Sequence, residues 1–516
     1  MHNHQKNKKI VKNTLALYFR QIIVMGITFF TYRIVLQTLG VIDYGIYNVV
    51  GGVVLMFNFL TSTLMGITQR FINVEMENGA NEKIQKIFST SLMLYIILGL
   101  IIIIIGQTLG VWFIRNKLVI PAERMPAAMW VFQFALLGFF LSKICAPFQA
   151  LVIAHEDMHI YGYVGIFEVI IRLIAVYLLV IANADKLIVW AIFGFIVSSV
   201  VASYYAFYCR KKYPEAKLSF GYDPSLVKEL VRYGGFVFLN NILDISRTQG
   251  VNIVLNIFFG PAVNAARGLA YAVDNVLLSF NTNFRQAMNP QLTKSCARND
   301  MGYLWNLYER GVRISFFLIL LFSIPFLLKT DFILWLWLKD VPEYTAIFIK
   351  LIIIHTLLNA LVAGSNVIIN ATGKLKAYYS INYIYLLLVI IFSFVVCKMG
   401  YAPYYVFIIP LPLYLLSIPA RFIVMKKQIG FSFTYYINKA FLPILFVSII
   451  SFMPFYFINK IFYESNIYSL IFLGASMVWT GFIIICIGLR KNERVVIFNF
   501  IKNKLCERKN IPICVL

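Results

Sequence analysis

Residues 91–105 read SLMLYIILGLIIIII, and the run stays apolar into its flanks. A stretch of about 20 apolar residues matches the hydrocarbon core of a bilayer. The rest of the chain follows the same pattern. Of 516 residues, 60% are hydrophobic and 13% are charged. Soluble domains carry roughly 25% charged residues. Burial in this chain is therefore mostly burial in lipid, and the expected fold is an all-α integral membrane protein.

Fourteen spanning segments are expected, at 14–37, 42–66, 87–113, 126–152, 160–182, 186–208, 232–257, 263–291, 304–328, 343–370, 377–399, 402–425, 437–458 and 466–489. The first, second, seventh and eighth are the least apolar. Connections are short, which leaves no room for a separate soluble catalytic domain. The first apolar run starts near Leu15, carries Arg20 and Arg33, and lacks a small-residue cleavage pattern, so no cleavable signal peptide is expected.

The 46 basic residues outnumber the 22 acidic ones, for a net charge of +24. In a soluble chain that excess would suggest nucleic acid. Here the basic residues gather at one set of helix ends: Lys6, Lys8, Lys9 and Lys12, then Arg210, Lys211 and Lys212, then Lys426 and Lys427. The positive-inside rule puts those loops and both termini in the cytoplasm, against the inner-membrane lipid, with no nucleic-acid partner. The basic tail after Leu489 is expected to lie on the membrane surface as an amphipathic helix. Seven cysteines form no CxxC pair and imply no disulfide framework.

The chain also repeats. A shift of 220 residues lays Gly40 on Gly260, Arg20-Gln21 on Asn240-Asn241, and Thr68-Gln69 on Met288-Asn289. A shift of 217 lays Val152-Ile153-Ala154 on Ile369-Asn370-Ala371. This spacing implies two parallel six-helix bundles, residues 1–230 and 231–427, followed by two extra helices and a tail over 428–516. Repeats of this kind usually hold a substrate site at the interface of the two halves.

This plan, with a polar first helix ending in Leu39-Gly40 and then Asp43-Tyr44-Gly45-Ile46-Tyr47, resembles the polysaccharide flippases. These are the O-antigen and capsule repeat-unit flippases of the multidrug/oligosaccharidyl-lipid/polysaccharide exporter superfamily. The resemblance covers about residues 10–490, and its motifs are soft. It implies about fourteen transmembrane helices, as a V-shaped pair of six-helix bundles plus two C-terminal helices. It also implies a transporter, not an enzyme, with no cofactor. The cargo would be a lipid-linked oligosaccharide on undecaprenyl pyrophosphate, moved from the inner to the outer leaflet, with H+ or Na+ as a coupling ion.

Polar residues inside the spans point the same way on their own terms. A charge at the bilayer centre costs about 2.5–3.5 kcal/mol on insertion scales, and such residues usually face a cavity or one another. On the eighth span, Arg267, Tyr271, Asp274, Asn281 and Arg285 fall within an arc of about 80°. Asn240, Asp244 and Arg247 make a shorter stripe on the seventh, and Arg20 lies inside the cytoplasmic end of the first. Arginine suits a pyrophosphate because its planar fork donates several hydrogen bonds. These eight side chains other than Tyr271 are the expected substrate-binding set. The bland alternative is internal pairing, Asp244 with Arg247 and Arg267 with Asp274. Glu168 and Arg172, at i,i+4, are expected to pair with each other.

Two other classes compete. A drug/cation antiporter would favour a carboxylate-rich cavity, whereas arginines outnumber carboxylates here. A membrane polymerase or ligase would tend to carry a large external loop, and the candidates near 114–125 and 329–343 are short. Finally, His155-Glu156-Asp157-Met158-His159 matches H-E-x-x-H, a zinc-protease pattern. It falls in a short cytoplasmic turn with no recognisable third ligand, so no metal is expected there.

Overall fold

The computed structural model describes residues 2–77, 81–155, 157–217, 224–461, 465–491 and 493–495, without the side chains of 2–22, 224–240 and single positions within 59–77, 158–161 and 283–297. All regular structure among the described residues is helical. In order, α1 is His2–Met56, α2 Asn58–Glu77, α3 Asn81–Ile105, α4 Val111–Lys117, α5 Met125–Ile144, α6 Ala146–Ala154 and α7 Met158–Ile181. Next come α8 Lys186–Lys212, α9 Pro224–Phe259, α10 Pro261–Ala297, α11 Met301–Leu328, α12 Thr330–Leu338, α13 Thr345–Ala360 and α14 Ser365–Thr372. The chain ends with α15 Leu375–Lys398, α16 Tyr405–Ile408, α17 Pro410–Ile429, α18 Phe433–Tyr436, α19 Leu442–Ile461 and α20 Asn466–Ile483.

Ten described helices are long and apolar enough to cross a membrane, and α13 with α14, bent by 42°, makes an eleventh. The expected total of fourteen separates from this number at three places. The first two expected spans share one element, α1, which counts as a single span over Ile23–Met56 among the described residues. The seventh and eighth correspond to α9 and α10, of 36 and 37 residues. Both are long enough to cross, at about 1.5 Å per residue, but their asparagines and arginines lower the hydropathy below that of a lipid-facing span. Most of the tail expected to form a surface helix lies outside the described residues.

The glycines that the repeat superimposes behave alike. Gly40 (φ 77°) breaks α1 and Gly260 (φ 78°) separates α9 from α10. Side chains other than hydrogen avoid that left-handed region, so glycine ends a helix there at little cost. Pro261 then starts α10 in the position where its missing N–H is harmless.

The chain divides into two compact units. The first comprises Met1–Val276, Leu334–Ile352 and Leu375–Ser417; the second comprises Leu277–Ile333, Ile353–Lys374 and Ile418–Leu516. Within the first, α1 packs on α5, α7 and α9, α5 on α8, and α9 on α2 and α15. One end of it is filled by Ile72, Phe88, Phe148, Leu151 and Tyr205, all buried. Within the second, α11 packs on α19 and α20. There the buried guanidinium of Arg313 meets Glu493 at 2.7 Å and the Gly488 carbonyl at 3.3 Å. These bonds hold the end of the last span against α11.

Candidate substrate site

The crossing of α1 with α9 and α10 in the first unit is built from small residues and amides. A Cβ on Gly45 would stand 1.8 Å from the Pro261 carbonyl oxygen, so only glycine permits this approach of two backbones. Gly52 faces the amides of Asn252 and Gln249, and Gly268 faces that of Asn48. Small residues let membrane helices approach closely, and polar side chains then bond across the gap. Asn264 donates to the Asn252 carbonyl at 2.7 Å and to its side-chain oxygen at 2.8 Å. Asn256 donates to Asn264 at 3.1 Å and accepts from the Val119 N–H at 2.8 Å. Asn252 donates to the Asn48 carbonyl at 3.3 Å. Asn252, Asn256 and Asn264 are fully buried, yet each has partners.

The expected arginines lie just beyond this crossing. Arg267 is buried and donates to the Thr248 carbonyl on α9. Its guanidinium lies 4.2 Å from the centroid of the Tyr271 ring, one turn further along α10, a cation–π arrangement. Asp274 is buried on the same helix, two turns from Arg267. Arg247 and Asp244 do pair, through a single long contact of 3.3 Å at i,i+3. Asp244 is half exposed while Arg247 is largely covered. The Nε–H groups of Arg247 and Arg267 are both buried with no hydrogen-bond partner among the described residues. A buried charged donor without a partner costs about 1–3 kcal/mol or more, so both guanidiniums keep donors to offer an anion.

Asn281 and Arg285 belong to the second unit. There Asn281 is buried, with its amide oxygen unpartnered among the described residues, and Arg285 is half-buried. The side chains of Arg20 and Asn240 lie outside the described residues.

The expected Glu168–Arg172 pair forms. Arg172 donates to Glu168 Oε1 through Nη2 at 2.8 Å and Nε at 3.1 Å. Lys143 lies over the Phe139 ring at 4.8 Å. The zinc-like HEDMH segment is tied to the 212–216 turn. The His155 ring stacks on Tyr213 at 4.1 Å, and its Nε2 meets buried Glu215 at 2.6 Å. Asp157 accepts from Lys212 at 2.5 Å and from the Tyr213 hydroxyl. Burial alone would raise the Asp157 carboxyl, but these hydrogen bonds outweigh it and hold it below the usual range. No group of three or more metal-ligating side chains forms among the described residues.

Two features had no forerunner in the sequence analysis. One is the asparagine crossing. The other is a clasp on Arg124, whose four hydrogen bonds of 2.5–3.0 Å divide between Asp43 and Asp185. Asp185 also caps α8, accepting from Leu187 and Ile188. The Arg124 bonds hold the Asp185 carboxyl below its ordinary value.

A helical membrane chain whose two halves repeat a broken first helix, with buried arginines beside the crossing, has the fold of the transporters of the exporter superfamily named above. Solved structures agree. A lipid II flippase, MurJ, in an inward closed conformation superposes with a TM-score of 0.64 at 10% identity, over 92% of this chain and 98% of that one. An inward-facing multidrug resistance MATE family transporter of the MOP superfamily gives 0.63 at 12% identity, over 80% and 94%. Residues 10–296 match the family described as polysaccharide biosynthesis protein, and the chain belongs to that family. Among curated relatives, the uncharacterized membrane protein EpsK of Bacillus subtilis (strain 168) is 23% identical over 288 residues. That match spans 54% of this chain and 56% of EpsK.

Proposed function

We propose that this protein flips undecaprenyl-pyrophosphate-linked oligosaccharide repeat units across the inner membrane for surface polysaccharide synthesis. The observation that carries this is the pair of buried guanidiniums, Arg247 and Arg267, with donors unused inside a membrane protein of a polysaccharide biosynthesis family. A pyrophosphate is a dense anion, and moving it bare through about 30 Å of hydrocarbon is prohibitive. Guanidiniums in a hydrated path replace the lost water hydrogen bonds. The lipid tail stays in the bilayer while the head group passes. Alternating access between the two six-helix bundles, 1–230 and 231–427, gives the path, with both termini cytoplasmic. Arg20 and Arg285 then capture the head group near the cytoplasm, Arg247 holds it midway, and Arg267 acts late. Asp244 and Asp274, with Asn240 and Asn281, compete for or share the arginines so that release stays possible. H+ or Na+ would supply the drive.

The decisive experiment deletes the gene and extracts lipid-linked repeat units from spheroplasts. Accumulation on the cytoplasmic leaflet, reversed by the wild-type gene, is the expected result. Normal export in the deletion strain, with no other gene able to complement, would end the proposal.

A further inference from the structure

Two cavities lie inside the first unit, one of about 300 Å³ and one of about 290 Å³. Each is near the lower bound of about 300 Å³ for small-molecule sites. The larger is lined by α1, α5, α7 and α8, the smaller by α1, α7 and α8. Three residues line both: Tyr47, Asn48 and Arg172. Arg172 thus stands between them. Its bonds to Glu168 come from Nε and Nη2, so its Nη1 edge carries no bond to a described residue.

The smaller cavity holds a further unused donor and a weakly held one. The Thr31 hydroxyl is buried with no hydrogen-bond partner among the described residues. Trp190 is only 8% exposed, and its indole N–H has the Tyr47 hydroxyl, on the wall of the same cavity, as its neighbour. Both line this cavity. Buried polar groups are normally satisfied, so such atoms ask for a partner that occupies the space.

The chemistry of that partner follows from the walls. Glu168 neutralises Arg172, so neither a bare anion nor a cation is favoured. Flat aromatic faces alternate with hydroxyl, amide and indole groups. That combination suits a neutral, polyhydroxylated ring, which offers C–H faces to the aromatics and hydroxyls to the polar atoms. The cavities also adjoin the arginine site. Asn48, on their wall, packs against Gly268, the residue after Arg267.

We propose that a sugar residue of the cargo enters these cavities, with Arg172, Trp190 and Asn48 reading its hydroxyls while Arg247 and Arg267 hold the pyrophosphate. This rests on the flippase function proposed above and adds a sugar subsite within the first bundle. It makes the N-terminal bundle a determinant of which repeat unit is carried.

The test uses the full-length protein in nanodiscs with two probes: bare undecaprenyl pyrophosphate and the same carrier bearing the host's repeat unit. Wild type is expected to bind the sugar-bearing carrier more tightly by on the order of tenfold. Trp190→Phe keeps the ring but removes the donor, and should reduce that preference by about threefold. Gly51→Leu places a side chain in the larger cavity, where nothing lies within 4 Å of its Cβ. It should bring the preference close to one, with bare-carrier binding and melting temperature unchanged. A preference that survives both substitutions, or equal binding of the two probes by wild type, overturns the sugar subsite alone. Failure of wild type to bind either carrier overturns the flippase proposal and this inference together. A change confined to pH or sodium dependence in Trp190→Phe also overturns the subsite, and would assign the cavities to ion coupling.

Discussion

Arg124 and Arg247 both belong to the first unit, and their surroundings differ in kind. Arg124 divides four hydrogen bonds between two carboxylates from distant parts of the chain. Arg247 reaches one half-exposed carboxylate on its own helix at 3.3 Å and leaves its buried Nε–H unpartnered among the described residues. Arg267 follows Arg247: a carbonyl, a ring face and an unused Nε–H. A saturated guanidinium is a structural tie, since a ligand would have to displace bonds already made. An under-satisfied one is held ready, its desolvation compensated only when an anion arrives. Arginine counts along the helices do not separate these two kinds; partner counts do.

The largest effect tests that separation directly. Arg247→Glu is expected to abolish surface polysaccharide while membrane insertion and melting temperature stay near wild type. Arg247→Lys keeps the charge and loses the fork, and should retain about a tenth of export, the cost of one charge-assisted hydrogen bond. Arg124→Ala should do the reverse. It leaves two carboxylates facing each other and costs about 2–3 kcal/mol of stability, seen as a lower melting temperature and less protein in the membrane. Export per molecule should change little. The comparison fails if Arg247→Glu loses stability as Arg124→Ala does, or if Arg124→Ala stops export in molecules that remain folded. Export assays paired with fluorescence-detected size exclusion distinguish these results.

The difference between the two arginines also marks how far the sequence could be read. The polar stripes on α9 and α10 were legible because helical periodicity places residues of one helix on one face. The helix breaks at Gly40 and Gly260 were legible because both positions need a backbone conformation that only glycine meets easily. The Arg124 clasp was not, because its partners lie 81 and 61 residues away and no local spacing announces them. The asparagine crossing escaped for the same reason: Asn48 and Asn252 are 204 residues apart. Arg172 shows a subtler failure. Its pairing with Glu168 was read correctly from i,i+4 spacing, but the pair concealed the two cavities that Arg172 lines.

A smaller effect sharpens the structural half of the comparison. Arg124 hydrogen bonds are the main cause of the lowered Asp185 carboxyl. A carboxyl depressed in the folded state contributes stability above its unfolded value, about 3.9 for aspartate. That contribution is lost as pH falls through the lower folded value. The melting temperature of wild type should therefore drop as pH is taken from about 5 towards 2. Asp185→Asn should start lower at neutral pH and fall less over the same range. Parallel curves for the two proteins would show that the clasp contributes no proton-linked stability. Because Asp43 remains, the difference should be smaller than the loss in Arg124→Ala.

The smallest effect belongs to the turn before α7 that imitates a zinc protease. His155 stacks on Tyr213 and meets Glu215, while Asp157 takes Lys212 and the Tyr213 hydroxyl. These contacts fasten the start of α7 to the end of α8 within the first unit. They resemble the Arg124 clasp in being mutually satisfied, and the same reasoning makes them structural. Changing His155 and His159 together to alanine removes one partner of buried Glu215, at a cost of about 1–2 kcal/mol. A carboxylate can regain water at a turn between helices, so the lower end of that range is expected. Export should stay intact in the double variant and in Glu156→Gln. Metal analysis of purified wild type provides the independent check. Stoichiometric zinc that disappears in the double variant, together with loss of export in Glu156→Gln, would make this turn a working site and move it to the under-satisfied class of Arg247.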